Sequence, residues 1–337
     1  MSDVKPQLLL FGATGYIAGV LLSRWHVVGF EKLSFKVTAA GRSKERLEQT
    51  ARLLGISTLT LPFDNIAGLE EEVQKYDIVV QLADCDAFEA THAILRGMRA
   101  RYESTSTPPL LYHASGAAFL DKYTGGRAGS DDEILSDLDA GLISQIPLSL
   151  PHRNVDDAII TADREGYLRS YIVVPFAVFG TARGIMHEAG IANPSSMPIP
   201  RLIDISMHQK SVPQLGEGRN QKSWVHVEDV ASLFDMILLR EPADHGPDGL
   251  FFCMNGEVEA GRITAALAEA FYTAGVFENT QAVPLPESDL KAGPLRYWAS
   301  TERGRAERSR SLGWQPRHDL SGLLQHVKDE VRRLCVV

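Results

Sequence analysis

Near its start, the chain has an apolar run that ends in a glycine-rich turn and is followed by residues at helical spacing. Residues 7–11 are mostly apolar, which indicates a buried strand, and glycine then recurs at Gly12 and Gly15. After the turn, Leu21 and Trp25 stand four residues apart and predict the buried face of a helix. The pattern therefore predicts a strand, a turn and a helix in that order.

The alternation of strand-like and helical segments continues along the chain. Further strands are predicted at about residues 35–40, 58–63, 77–83, 109–114 and 168–174. Strands that alternate with helices are typical of a parallel sheet with helical crossovers. The sequence thus predicts an α/β fold, in which ligands bind at the carboxyl ends of the strands.

The first turn has the composition of a phosphate-binding loop. Gly12 permits a backbone turn that is closed to most side chains, and Gly15 allows the close approach of a pyrophosphate. Thr14, Tyr16 and Ile17 complete the predicted turn, and the backbone N–H groups at the helix start would face the anion. The alternative is a purely structural strand-to-helix corner with the same glycines.

The end of the second strand indicates which dinucleotide the loop would hold. An acidic residue there would bind the ribose 2′-hydroxyl of NAD, whereas this chain has Arg42 and Ser43, which suit the 2′-phosphate of NADP. Ser43 is also placed to cap a helix that ends at Gly55. The sequence predicts NADP as the cofactor, and the alternative is that Arg42 is an ordinary surface residue at a helix start.

Other candidate cofactor residues follow the remaining strands. Asp64 and Asn65 could hydrogen-bond the adenine amino edge, or they could be turn residues. The further residues predicted at cofactor-facing strand ends are Leu82, Ala83, Asp84, Pro175 and Phe176.

Composition narrows the classes of function. The chain has 337 residues, of which 44% are hydrophobic and 23% charged, so it can bury a large core. A formal net charge of -9 argues against a nucleic-acid or anionic-membrane surface, and a small-molecule partner is expected. No run reaches the roughly 18 apolar residues of a membrane span, so we expect a soluble, cytoplasmic protein. Cys85, Cys253 and Cys335 lack the close Cys/His spacing of zinc sites, so we expect buried thiols and predict no metal.

Motifs along nearly the whole chain resemble one known family. They lie at residues 12–18, 77–83, 172–180, 216–231 and 312–316. In order and spacing they resemble an extended short-chain dehydrogenase/reductase of the NAD-dependent epimerase/dehydratase family. The resemblance implies a Rossmann doubly wound parallel sheet with a smaller C-terminal substrate-binding lobe. The implied division is a nucleotide-binding core at residues 1–180 plus 223–279, a substrate lobe at 181–222 plus 280–317, and a closing helix at 318–337.

The catalytic residues are where the sequence departs from this family. Members that transfer a hydride commonly use Tyr-x-x-x-Lys, but no lysine of this chain follows a tyrosine by four residues. The aligned segment has His152 in the place of the tyrosine and Asp156 in the place of the lysine. The family's Ser/Thr falls at Ser115 or Gly116, and the alignment does not separate the two.

Two hypotheses follow for this segment. Residues four apart share a helix face, so Asp156 can orient His152 and favour its imidazolium form, which would donate a proton to a carbonyl. Ser115 would then hydrogen-bond the substrate oxygen. Alternatively, His152 only packs at the start of the helix and the catalytic centre is lost.

The resulting prediction is an NADP(H)-dependent oxidoreductase, similar to carbonyl reductases and dehydrogenases, that acts on a small organic metabolite. Its pocket would be formed by the lobe and the insert at residues 121–150. The alternatives are a non-redox isomerase or cyclase that uses the nucleotide as a scaffold, and a redox-sensing regulator. The resemblance also implies a possible homodimer through helices at about 88–101 and 154–163, whose apolar residues could pack on the sheet or on a partner.

Overall fold

The structure is a computed structural model that describes residues 5–139 and 141–335. Its strands are β1 Gln7–Phe11, β2 Lys36–Gly41, β3 Ser57–Thr60, β4 Ile78–Gln81, β5 Leu110–Ala114, β6 Lys122–Tyr123, β7 Leu135–Ser136, β8 Arg169–Pro175, β9 Ala177–Phe179, β10 Pro213–Gln214, β11 Gln221–His226, β12 Leu250–Cys253, β13 Glu257–Glu259, β14 Val283–Pro284, β15 Ser300–Thr301 and β16 Gly304–Arg305. Its α-helices are α1 Tyr16–Val28, α2 Lys44–Leu54, α3 Ile66–Val73, α4 Phe88–Thr105, α5 Leu142–Gln145, α6 Arg153–Arg164, α7 Ile185–Glu188, α8 Pro198–Gln209, α9 Val227–Arg240, α10 Ala260–Thr273, α11 Glu287–Leu290, α12 Gly293–Trp298, α13 Glu307–Ser311 and α14 Ser321–Cys335.

Seven parallel strands form the central sheet in the order β12-β8-β5-β4-β1-β2-β3. In register, Leu8 of β1 lies opposite Val37 of β2 on one side and Ile78 of β4 on the other. Residues 8–11 are completely buried, because helices cover both faces of such a sheet. The strand order reverses between β1 and β4, and this reversal opens a crevice at their carboxyl ends. The predicted Rossmann doubly wound sheet is confirmed.

A second hydrophobic core lies under the smaller sheet β13-β11-β9. Trp224 of β11 and Trp298 of α12 are buried in it, together with the facing sides of α10 and α14. The sequence-based division assigned residues 223–279 to the nucleotide-binding core and 318–337 to a separate closing helix. In the structure α9 and β12 pack in the first core, whereas α10 and α14 pack in the second. The reason is that Leu267 of α10 and Val327 of α14 belong to one apolar cluster.

The insert at residues 121–150 is joined to a late part of the chain. Strand β6 pairs antiparallel with β15, and β7 pairs parallel with β16. These two pairings hold the insert against residues 300–305. Within the described residues, no helix is both long and apolar enough to cross a lipid bilayer.

Candidate active site

The turn after β1 packs too closely against neighbouring backbone to allow side chains at its two glycines. Gly12 has φ 78°, and a Cβ atom on it would lie 2.6 Å from the carbonyl oxygen of Leu82. A Cβ atom on Gly15 would lie 2.9 Å from the Gly12 carbonyl oxygen. Both positions therefore require glycine, the first for its left-handed conformation and both for space. Helix α1 starts here with no side-chain cap and no acid in its first turn, which leaves N–H groups for an anion.

The other predicted residues of this turn have structural partners in the second half of the chain. The Tyr16 hydroxyl donates a hydrogen bond to the Gly180 carbonyl, and the Asn193 N–H donates to the Thr14 carbonyl at 3.0 Å. The side chain of Ile17 is half-buried against the core. These contacts fix the turn against the segment after β9 and engage the Tyr16 hydroxyl and the Thr14 carbonyl within the protein.

At the ends of β2 and β3, two predicted cofactor residues are helix caps. Ser43 Oγ accepts a hydrogen bond from the Arg46 N–H at 3.4 Å, and Asn65 Oδ1 accepts one from the Gly68 N–H at 3.1 Å. Arg42 and Asp64 are exposed. Of these four residues, Arg42 and Asp64 thus have side chains free of a capping role.

The loop after β4 is held by its own hydrogen bonds. Leu82 is half-buried and its carbonyl closes the Gly12 turn, while Ala83 and Asp84 are exposed. Asp84 Oδ1 accepts a hydrogen bond from the Asp86 N–H at 2.9 Å, and the Asp84 carbonyl accepts one from Gln81 Nε2 at 3.4 Å. These hydrogen bonds through Asp84 hold the loop in place beside the crevice.

Pro175 and Phe176 face the core. Both are buried, and the Phe176 ring packs edge-to-face on Phe252 with centroids 5.3 Å apart. Gly304 leaves room for the same ring, because a Cβ atom there would meet it. The Phe176 side chain therefore serves packing between β8 and β12.

His152 lies at the start of α6 and its ring is in contact with Gly116. The residue has φ 67°, an uncommon conformation for a residue other than glycine, and a Cβ atom on Gly116 would lie 2.9 Å from His152 Nε2. Of the two candidates that the alignment left open, Gly116 is thus the one that meets the histidine. His152 Nδ1 lies 2.8 Å from Asp86 Oδ1, and the His152 N–H donates to the same oxygen at 3.2 Å.

The predicted pairing of His152 with Asp156 is wrong. The Asp156 N–H donates a helical hydrogen bond to the His152 carbonyl at 3.0 Å. The histidine ring, however, is paired with the Asp86 carboxylate and not with Asp156. Asp156 Oδ2 instead accepts a hydrogen bond from Ser115 Oγ at 3.0 Å. The physical reason is that His152 precedes the helix in a left-handed conformation, so the helical spacing of side chains does not apply to it.

A buried polar cluster lies behind Gly116. Asp156 is completely buried, and burial raises the pKa of its carboxyl to about 7 against the opposing effects of Ser115 and Arg153. His113 is also completely buried, and burial lowers its pKa to about 3. Neutral forms of both groups are therefore favoured near pH 7 more than in solvent.

Cys85 adds a thiol to the histidine. Its Sγ lies 3.4 Å from His152 Nδ1, and burial raises its pKa to about 12. Cys253 is buried as predicted, whereas Cys85 and Cys335 are half-buried. Sequence reasoning missed Cys85 and Asp86 as site residues, although the run Asp84-Cys85-Asp86 directly after a buried strand was a usable signal.

A second buried ionic group lies in the lobe. Lys222 Nζ lies 3.0 Å from Asp121 Oδ1 and 3.6 Å from Glu302 Oε2, and it stands 3.6 Å from the centroid of the Tyr297 ring. Burial raises the pKa of Glu302 to about 8, and the Lys222 charge opposes this shift. This group joins the start of the insert to β11 and β15.

A cavity of about 1390 Å³ lies elsewhere. It is bounded by α9, α14 and residues 313–319, and it includes His226 and His318, whose rings stack 3.9 Å apart. None of the predicted site residues lines it.

Residues 147–248 match the model of the NAD dependent epimerase/dehydratase family. The predicted resemblance to the epimerase/dehydratase family is confirmed. The match includes His152, Asp156 and the segment from β8 to α9. A search of curated protein sequences finds no match.

Solved structures of epimerases and dehydratases share the fold over nearly the whole chain. The PbgP3 protein from Burkholderia pseudomallei is 14% identical, with a TM-score of 0.65 over 98% of this chain and 97% of that one. The UDP-glucose 4-epimerase of Thermotoga maritima, solved with UDP-glucose, is 13% identical, with a TM-score of 0.64 over 97% of this chain and 99% of that one. The dTDP-glucose 4,6-dehydratase of Bacillus anthracis, solved with NAD, is 13% identical, with a TM-score of 0.61 over 98% and 97%.

Proposed function

We propose that the protein is an NADP(H)-dependent oxidoreductase that acts on a carbonyl or alcohol of a small organic metabolite, with His152 in the place of the family's tyrosine. The observation that supports this best is the geometry of His152, which is held by Asp86 at 2.8 Å and faces Gly116 at the end of β5. In an α/β sheet this edge is where ligands bind.

The glycine turn and the start of α1 fit a dinucleotide. Gly12 and Gly15 allow the tight backbone turn that leads into α1, and the uncapped start of this helix offers N–H groups to a pyrophosphate. Arg42 is exposed at the end of β2, where a 2′-phosphate would be neutralised. When bound, the nicotinamide would supply or accept the hydride.

The protein's own residues would handle the proton. With Nδ1–H donating to Asp86, the His152 ring has Nε2 left to exchange a proton with a substrate oxygen. The Asp86 carboxylate fixes the orientation of the ring. The Ser115 hydroxyl donates to Asp156, and Ser115 is only 7% exposed. We therefore assign Ser115 and Asp156 a structural role, in which their hydrogen bond holds the backbone next to Gly116 in place.

Loss of the imidazole is the direct test. A positioned general acid contributes ~10²–10⁴-fold, so His152→Ala should lower turnover by that range while NADPH affinity is unchanged. His152→Gln should not rescue turnover, because an amide does not exchange the proton. Turnover would be followed as NADPH consumption with a panel of aldehydes, ketones and UDP- and dTDP-sugars.

His208→Ala is the matched control, since His208 is an exposed histidine that also pairs with an aspartate, Asp204. An unchanged rate in His152→Ala, with a substrate that the wild type converts, would contradict the mechanism. Tight NADPH binding without turnover of any substrate would instead support a scaffold or sensor function.

A further inference from the structure

Three side chains with metal-binding atoms meet where the loop after β4 touches the start of α6. The ligand atoms of Cys85, Asp86 and His152 all lie within 4.8 Å of one another. His152 Nδ1 is 3.4 Å from Cys85 Sγ and 2.8 Å from Asp86 Oδ1. Around a tetrahedral zinc ion, with bonds of about 2.0–2.3 Å, ligand atoms lie roughly 3.3–3.6 Å apart, so small rotations of these side chains suffice.

We propose that Cys85, Asp86 and His152 form a binding site for a divalent transition-metal ion of the zinc type. A thiolate and an imidazole select zinc over magnesium or calcium, which prefer oxygen ligands only. Three protein ligands leave a fourth position open for water or a ligand molecule, the arrangement of zinc sites that are not purely structural.

The local backbone holds two of the ligands in place before an ion arrives. Asp84 Oδ1 accepts the Asp86 N–H at 2.9 Å, and Asp86 Oδ1 accepts the His152 N–H at 3.2 Å. The Asp86 side chain is 56% exposed and that of His152 is 13% exposed, so an ion can enter from solvent past the carboxylate. The charge of Asp84 also acts on Cys85 and adds negative potential that favours a cation.

Binding would exchange protons for the ion. The Cys85 thiol would release its proton to solvent, and His152 would bind through the Nδ1 lone pair with its remaining proton on Nε2. Asp86 would exchange its hydrogen bond with the imidazole for a bond to the ion. The imidazolium form is then impossible, so bound zinc and proton donation by His152 exclude each other.

The experiment is a metal titration of the full-length protein, freed of metal with a chelator and kept in a phosphine reductant. We expect one Co²⁺ per chain with a thiolate-to-cobalt charge-transfer band, displacement of that band by Zn²⁺, and a rise in Tm with Zn²⁺. Cys85→Ser should lose the band, and Asp86→Asn and His152→Gln should weaken Co²⁺ binding by about tenfold or more.

The matched controls are Cys335→Ser, which removes another half-buried thiol, and His208→Ala, which removes a histidine paired with Asp204 but with no thiol in that pair. Both should behave as wild type. The proposal is overturned if wild-type protein retains no stoichiometric ion, or if a folded Cys85→Ser retains the band. Should Cys85→Ser not fold, an undiminished Zn²⁺ effect on the Tm of Asp86→Asn overturns it. None of these readouts uses turnover, so they are independent of the proposed oxidoreductase function.

Discussion

At the scale of single residues, Asp156 is the most strongly constrained titratable group beside the site. It is buried with Ser115 as its hydrogen-bond donor, and the guanidinium of Arg153 lies 3.9 Å away. These partners do not offset the cost of removing a carboxylate from water, and the pKa is raised from 3.8 to about 7. The folded protein therefore holds this proton over a pH range in which the unfolded chain releases it.

This burial makes stability depend on pH. Because the folded pKa lies above the unfolded one, the contribution of Asp156 to stability is complete below pH 4 and is lost as pH rises through about 7. Asp156→Asn removes this loss, so the difference in Tm between variant and wild type should become more positive from pH 5 to pH 8. The neighbouring, partly exposed Asp157→Asn is the control and should show no such trend. A Tm difference that is the same at both pH values would contradict the burial argument.

Arg42 is the residue on which the predicted preference for NADP(H) over NAD(H) depends. Loss of one charge-assisted contact costs ~1.5–3 kcal/mol, so Arg42→Ala should weaken NADPH binding roughly tenfold or more and leave NADH binding unchanged. Arg52→Ala is the matched control, because Arg52 is an exposed arginine in the last turn of the same helix, α2. Nucleotide fluorescence titrations measure all four affinities. Equal wild-type affinities for NADPH and NADH would refute the preference.

At the scale of elements, local patterns predicted the strands well. The first strand was predicted at residues 7–11 and is observed there, because continuous apolar sequence is the mark of a strand buried on both faces. The third was predicted at 58–63 but ends at Thr60, since Pro62 has no N–H to give to a ladder. The helix caps Ser43 and Gly55 were also predictable, since capping depends on residues close in sequence.

Contacts between elements were much less predictable. Asp86 and His152 are 66 residues apart, and nothing in either segment specifies the other. The helical spacing rule selected Asp156 because it assumes that His152 is inside the helix, whereas its φ of 67° places it just outside. The apolar face of α10 likewise does not reveal that α14 is its partner. Helix α10 was therefore assigned to the nucleotide-binding core with the rest of residues 223–279, whereas it packs in the second core.

At the scale of the whole molecule, α4 and α6 pack side by side and form the surface that the family resemblance assigns to a dimer. The apolar residues of these helices that could have packed either on the sheet or on a partner are each at most 5% exposed. They are therefore already buried within the chain and pack on the sheet and its neighbouring elements. These residues are Ala90, Ile94, Leu95, Met98, Val155, Ile159 and Ile160. What remains outside is a groove of about 530 Å³ that includes Phe88 and Leu148, which are 39% and 54% exposed.

We predict that a second copy of the chain covers this groove. A pair of exposed apolar side chains at the rim gives a modest contact, so the dimer should form at tens of micromolar and show about twice the chain mass of 37.0 kDa by light scattering. Phe88→Asp with Leu148→Asp should return the mass to that of one chain, since burying the two carboxylates costs more than the contact stabilises.

Leu239→Asp is the control, because Leu239 is another exposed leucine, on α9, that does not line the groove; this change should leave the dimer intact. A wild-type mass of one chain at this concentration would refute the dimer, and a dimer that survives the double substitution would place its interface elsewhere on the molecule.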